Sequence, residues 1–293
     1  MHRPAGPSLT RRSVLAGLAV ASTAAAAPAP LLLTTADGRI SSVTRWPARG
    51  RHRGVIGFSH GALSAPWKYA ALVEPWAAAG FEVLAPLHVD SSDHPDTARY
   101  PGLASWAARI ADMRALGAHI GDVPWVAAGH SYGGLTALTL GGAAASVPPG
   151  VTGPLRASGV NAVIAFSPPG PIPGLIDAPG YAQLGVPALI QTGDRDVPPG
   201  STAPDAWRTH LAAYEASAAG GDRYSLVLAG ADHYFGNLIC RPERTEAPQR
   251  AQLDAATRVA GLFLRGFGDG DAKARTRLDG QLSPTLPVML MRK

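Results

Sequence analysis

An apolar run, Trp125-Val-Ala-Ala128, stops at Gly129-His130-Ser131-Tyr132-Gly133, and a run rich in alanine and leucine follows at once. This order predicts a strand, a sharp turn and a helix, with a serine at the apex. Such a turn forces unusual backbone angles on the serine and crowds its neighbours. Glycine at 129 and 133 lacks the Cβ atoms that would collide. The serine hydroxyl then stands above a sheet, and the helix that follows directs its positive end towards it. That geometry suits a nucleophile. In a chain with 34 glycines the pentapeptide alone is a weak signal, and the plain alternative is a glycine-rich loop before an ordinary helix. Its weight comes from the strand before, the helix after and partners downstream.

The same alternation runs through most of the chain. Ile40 to Trp46, Gly54 to Phe58, Phe81 to Ala85, Asn161 to Phe166, Ala188 to Thr192 and Tyr224 to Leu228 read as strands, the last being the final clear one. Tyr69, Leu72, Val73 and Trp76 share one helical face. Leu103, Trp106, Ile110, Met113 and Leu116 mark a second helix, 205–218 a third, and Leu253, Ala256, Ala260 and Phe263 a C-terminal one. The pattern predicts an α/β protein with a mostly parallel sheet covered by helices on both faces, in one domain over 35–293. Ligands of such sheets bind beyond the carboxyl ends of the strands. Between Ser167 and Ala188 the proline-broken segments 168–174 and 178–181 are too short for a helical cap, so no large cap domain is expected.

A serine hydroxyl needs a base, and the base needs a carboxylate to orient it. His233 follows the Tyr224–Leu228 strand and is the candidate base. Gly193-Asp194-Arg195-Asp196 offers two carboxylates. Asp196 is preferred, because Asp194, one residue past the glycine, is placed to brace the turn through backbone hydrogen bonds. The order Ser…Asp…His is that of the α/β-hydrolases and not of the chymotrypsin or subtilisin types. An oxyanion needs two N–H donors. The expected pair is Tyr132 N–H, just after the serine, and Ala62 N–H, in the loop after the Gly54–Phe58 strand. Trp67, Tyr132, Tyr181 and Tyr234 are candidates for the rim of the substrate site.

Together, Phe58-Ser-His-Gly61, Gly129-His-Ser-Tyr-Gly133, Gly193-Asp-Arg-Asp196 and Gly230-Ala-Asp-His233 resemble the α/β-hydrolase superfamily. The nearest likeness is to bacterial serine esterases related to dienelactone hydrolases and platelet-activating-factor acetylhydrolases, over about 50–268. The resemblance implies an α/β-hydrolase fold and hydrolysis of carboxylic esters. Dienelactone hydrolases proper use a cysteine nucleophile; Ser131 here argues against that particular activity. A peptidase or acyltransferase with the same triad is the alternative, and a non-catalytic binding protein on this scaffold a more distant one.

The N-terminus reads separately. Arg11-Arg12, an apolar stretch and an alanine run ending at Ala27 resemble a twin-arginine export signal over 1–27, with a periplasmic or extracellular destination. The stretch is short for a membrane span. It carries three arginines and no acid, so its removal takes the formal charge from +5 to +2. With no basic cluster interleaved with aromatics, nucleic-acid binding is not expected. The single cysteine, Cys240, reads as a buried apolar residue. His88-Val-Asp90-Ser-Ser-Asp93-His94-Pro-Asp96 holds metal-ligand residue types but fits no defined spacing, so a polar loop is expected, and the reaction needs neither metal nor cofactor. The expected partner is a small-molecule or polymeric ester.

Overall fold

The strand that leads to Ser131 feeds two cores at once. Val126 and Ala128 pack on one side of it, Trp125 and Ala127 on the other. A strand buried on both faces shows an unbroken apolar run rather than an alternation, which is why this one is so plain in the sequence. The computed structural model describes residues 31–293, with Met1 and His2. The expected export segment therefore lies outside the described residues, apart from its first two.

The order is β1 (Leu31–Thr34), β2 (Ile40–Trp46), β3 (Gly54–Ser59), α1 (Ala70–Ala78), β4 (Phe81–Pro86), α2 (Trp106–Ile120), β5 (Trp125–His130) and α3 (Tyr132–Leu140). It continues with β6 (Val160–Phe166), α4 (Ala178–Ala182), β7 (Ala188–Gly193), α5 (Ala212–Ala216), β8 (Arg223–Leu228), α6 (Arg250–Phe263), α7 (Ala272–Asp279) and β9 (Val288–Arg292). The strands form one sheet in the order β1-β2-β4-β3-β5-β6-β7-β8-β9. From β4 to β8 all neighbours are parallel; β1, β2 and β9 run antiparallel at the edges. Leu72, Trp76, Leu253, Ala256 and Phe263 of α1 and α6 cover one face. Ile110, Met113, Leu135 and Leu138 of α2 and α3 cover the other. This is the α/β-hydrolase fold. The segment between β6 and β7 carries only the five-residue α4, so there is no large cap.

The sheet departs from the sequence reading at its ends. β1 pairs along β2 from Leu31 opposite Val43 to Thr34 opposite Ile40, ahead of Ile40–Trp46, the first strand that the sequence suggests. β9 adds to β8 after the strand that reads as the last. Both are short edge strands with little buried surface, Leu290 being the one fully buried residue of β9, and neither carries a pattern strong enough to read. The expected helix over 205–218 is a 3₁₀ turn, Ala206–Leu211, running into the short α5.

Candidate active site

Ser131 sits between β5 and α3 with φ 55° and ψ −123°. An L-residue in this region is strained by about 1–3 kcal/mol, and the strain persists only where the surroundings fix it. Here the Ser131 N–H donates to the Phe166 carbonyl of β6 at 2.8 Å. A Cβ on Gly129 would fall 2.1 Å from the Gly133 carbonyl oxygen, and one on Gly133 1.9 Å from that of Ser59. The turn is thus pressed against itself and against β3 on backbone alone.

The loops after β7 and β8 bring Asp196 and His233 together. Asp196 Oδ1 lies 2.8 Å from His233 Nδ1, and Thr192 Oγ1 donates to Asp196 Oδ2 at 3.0 Å. Burial opposes ionisation of Asp196, but the adjacent imidazoles of His233, hydrogen-bonded to it, and His210 outweigh it, holding the carboxyl well below its usual range. With a proton on Nδ1 facing the carboxylate, the other ring nitrogen of His233 is left as an acceptor. Ser131, His233 and Ala62 line one cavity of about 690 Å³. Asp194 points elsewhere and accepts the Gly230 N–H at 2.6 Å, which ties the end of β7 to the turn before His233.

The N–H groups of Ala62 and Tyr132 have no backbone acceptor, as an oxyanion site requires. The loop that carries Ala62 is held from below. Gly61 N–H donates to Tyr69 Oη at 2.9 Å, and Tyr69 Oη lies 2.9 Å from His130 Nδ1. His130 Nε2 in turn lies 2.8 Å from the His233 carbonyl oxygen. Since that carbonyl only accepts, His130 carries its proton on Nε2 and accepts the Tyr69 hydroxyl proton on Nδ1. Burial first, and the nearby His233 second, push His130 well below the usual histidine range and keep it neutral. One relay therefore joins the Gly61–Ala62 loop, the serine turn and the loop that carries His233. On the other flank, Arg109 is buried, donates to the His60 carbonyl at 2.8 Å and lies 4.4 Å over the Tyr132 ring. Neither Tyr69 nor Arg109 was legible as a site support, because each sits on a helix or turn face that reads as ordinary packing.

Of the expected rim aromatics only Tyr234 lines the cavity. Trp67 is 48% exposed and stands away from it. Tyr181 is fully buried, its hydroxyl donating to the Pro169 carbonyl at 2.6 Å, because α4 turns it into the core beneath the 168–174 segment. The Tyr132 ring faces inward and stacks on Trp106, away from the cavity. The wall is instead made by Leu63, Ile172, Val197 and Pro198, with His210 and the three arginines Arg195, Arg241 and Arg244. Cys240 is buried, and it also lines this cavity.

The 88–96 segment does not converge on a point. His88 is buried between Asp112 and Ser59 Oγ, each at 2.9 Å, and Asp90 is paired with Arg109 at 2.8 Å. Asp93 pairs with Lys68 and Asp96 with Arg99 at the surface. Among the described residues, the one close cluster of three histidine, cysteine or acidic side chains is Asp196, His210 and His233.

The similarity of the fold to solved structures is extensive. Esterase 2 of Thermogutta terrifontis superposes with a TM-score of 0.60 at 18% identity, covering 83% of this chain and 95% of that one. Dienelactone hydrolase of Anabaena variabilis gives 0.56 at 16% identity, over 81% and 98%. An α/β serine hydrolase homologue from Coxiella burnetii gives 0.54 at 16%, over 80% and 96%. No protein-family profile matches the chain. No curated protein sequence matches it either.

Proposed function

We propose that the chain is a serine hydrolase that cleaves carboxylic esters through an acyl-enzyme. The observation that carries this reading is the Asp196–His233 pair opening onto the same cavity as the strained apex serine. Ser131 Oγ attacks the ester carbonyl as His233 takes its proton. Asp196 holds the ring tautomer and supports the imidazolium that forms. Ala62 and Tyr132 N–H groups receive the oxyanion. His233 then protonates the departing alcohol, and water, activated by the same imidazole, releases the acid. Esterase 2 of T. terrifontis, which shares this fold, is described in a form phosphorylated by paraoxon and in one with propionate bound. The cavity at the serine is about 690 Å³, with no helical cap between β6 and β7 over it. The test is labelling with a fluorophosphonate probe together with hydrolysis of p-nitrophenyl esters. Ser131→Ala is expected to lose the label and at least about 10³-fold in turnover while remaining folded. Turnover within about tenfold of wild type rejects the serine as nucleophile.

Export by the twin-arginine route belongs to the same proposal and rests on the sequence of 1–27 alone. Replacing Arg11 and Arg12 together by lysine is expected to leave precursor in the cytoplasm. Normal export of that variant rejects this route.

A further inference from the structure

Asp196 holds two imidazoles, not one. Its Oδ1 lies 2.8 Å from His233 Nδ1 and 3.1 Å from His210 Nε2. His210 comes from the 3₁₀ turn before α5, is 5% exposed and lines the cavity. Its ring centroid is 5.7 Å from that of His233. Its Nδ1 lies 2.7 Å from the carbonyl oxygen of Pro168, in the loop after β6.

Both ring nitrogens of His210 therefore face groups that only accept. A carbonyl oxygen at 2.7 Å requires a proton on Nδ1. A carboxylate oxygen at 3.1 Å repels a lone pair on Nε2 and attracts a proton there. A ring protonated at both nitrogens is an imidazolium. The Nε2–H does not lie on the line of an ideal hydrogen bond to Asp196, so the contact acts mainly as an ion pair. Burial works against this charge, and the close Asp196 carboxylate, helped by the Pro168 carbonyl, more than reverses it, raising His210 above the usual histidine range. The groups that face His210 are Asp196 from the loop after β7, His233 from the loop after β8, the Pro168 carbonyl, and the neutral His130 behind His233.

We propose that His210 is a positioning residue of the triad, a fixed cation on Asp196 that keeps the base His233 unprotonated, and the enzyme active, on the acid side of neutrality. This rests on the ester-hydrolase reading above. A lone carboxylate stabilises a proton on its partner imidazole, and that proton silences the base. A carboxylate already neutralised by His210 stabilises it less, and the His210 charge repels it directly. At ring separations of this size, a unit charge at the effective dielectric constant of a protein interior moves a titration by about one to two pH units.

The experiment measures kcat/KM against pH for the full chain, for His210→Gln and for His210→Lys, with the charge of His210 read independently in the wild-type protein from its ring ¹⁵N shifts. Glutamine keeps an N–H donor and removes the charge. Its acid limb is expected to move up by about one pH unit or more. Lysine restores the charge and is expected to return the limb towards the wild-type position. A doubly protonated His210 ring at pH 7 is the expected spectrum. An acid limb that stays in place in a folded His210→Gln overturns the proposal, and so does a neutral His210 ring at pH 7 in the wild-type protein, which is decided even if the variants misfold. Hydrolysis that survives Ser131→Ala rejects the serine-hydrolase reading instead, and the ¹⁵N measurement still decides the charge of His210.

Discussion

Asp194 and Asp196 are two positions apart on one loop, and the fold hands them opposite neighbours. Asp196 turns inward to His233 and Thr192, while Asp194 receives the Gly230 N–H. Sequence spacing favoured Asp196 because a residue just past a strand-ending glycine tends to brace the turn. Asp196→Asn is expected to lower turnover by about 10⁴-fold, since the wrong tautomer of His233 is then held. Asp194→Asn removes the charge from a hydrogen bond; it is expected to cost about 1–2 kcal/mol of stability and less than about tenfold in turnover. Paired kinetics and melting curves check both. A larger turnover loss in Asp194→Asn would reverse the assignment. The rim shows where residue-level reading stops. Trp67 and Tyr181 sit in short helical turns near the site in sequence, yet one faces solvent and the other the core. Side-chain direction in a short turn depends on what lies beneath it, which no local pattern records. His210 and Tyr69, in 3₁₀ turns, and Arg109, on α2, meet partners far away in the chain, which their own faces do not show.

At the scale of elements, the serine turn is the part most tightly determined. Its two glycines lie where backbone meets backbone, at Gly133 against Ser59 and at Gly129 against Gly133. Backbone cannot yield as the end of a side chain can. Gly133→Ala is therefore expected to abolish the native fold or to lower stability by about 4 kcal/mol or more, read by thermal unfolding of the purified chain. A Gly133→Ala protein that melts within a few degrees of wild type would mean that β3 does not press on this turn. The long amphipathic stripes of α2 and α6 and the doubly buried strands were legible because each imposes a repeating constraint on composition. β1, β9, α4 and α7 were not. They are short or lie at edges, and their stability comes from the neighbour they join.

Over the whole molecule, the buried histidines set how stability depends on pH. Burial is the first cause holding His60, His88 and His130 well below the usual histidine range, and each has a positive or imidazole neighbour that adds to it. In the unfolded chain these groups take up protons as pH falls through about 6.5. The folded state does not, so stability is lost as pH falls, at up to about 1.4 kcal/mol per pH unit for each histidine. Asp112, pushed up to about 6 by burial against the pull of Arg39, opposes this between its unfolded and folded values. It acts in the same sense as His210, and the three lowered histidines outnumber the two. His210, raised, contributes stability that is complete below the ordinary histidine value and lost as pH rises through its folded value. The melting temperature is expected to peak near neutrality and to be several degrees lower at pH 5 than at pH 7. An equal or higher melting temperature at pH 5 would show that these histidines are not held neutral in the folded chain.

The sequence by itself determined the fold class, the serine turn, the order of serine, aspartate and histidine, and the want of a cap. Each of these rests on local chemistry: glycine where backbone crowds, apolar runs where both faces are covered, and closely spaced prolines where no long helix can form. Only the tertiary structure decided which residues wall the cavity, that the 88–96 segment divides between a buried network and surface pairs, and that Asp196 carries a second imidazole. Those depend on groups far apart in the chain, from Ser59 to Asp112 and from Pro168 to His233. Their meeting is set by the stacking of helices and loops on the sheet, and neither composition nor spacing encodes it.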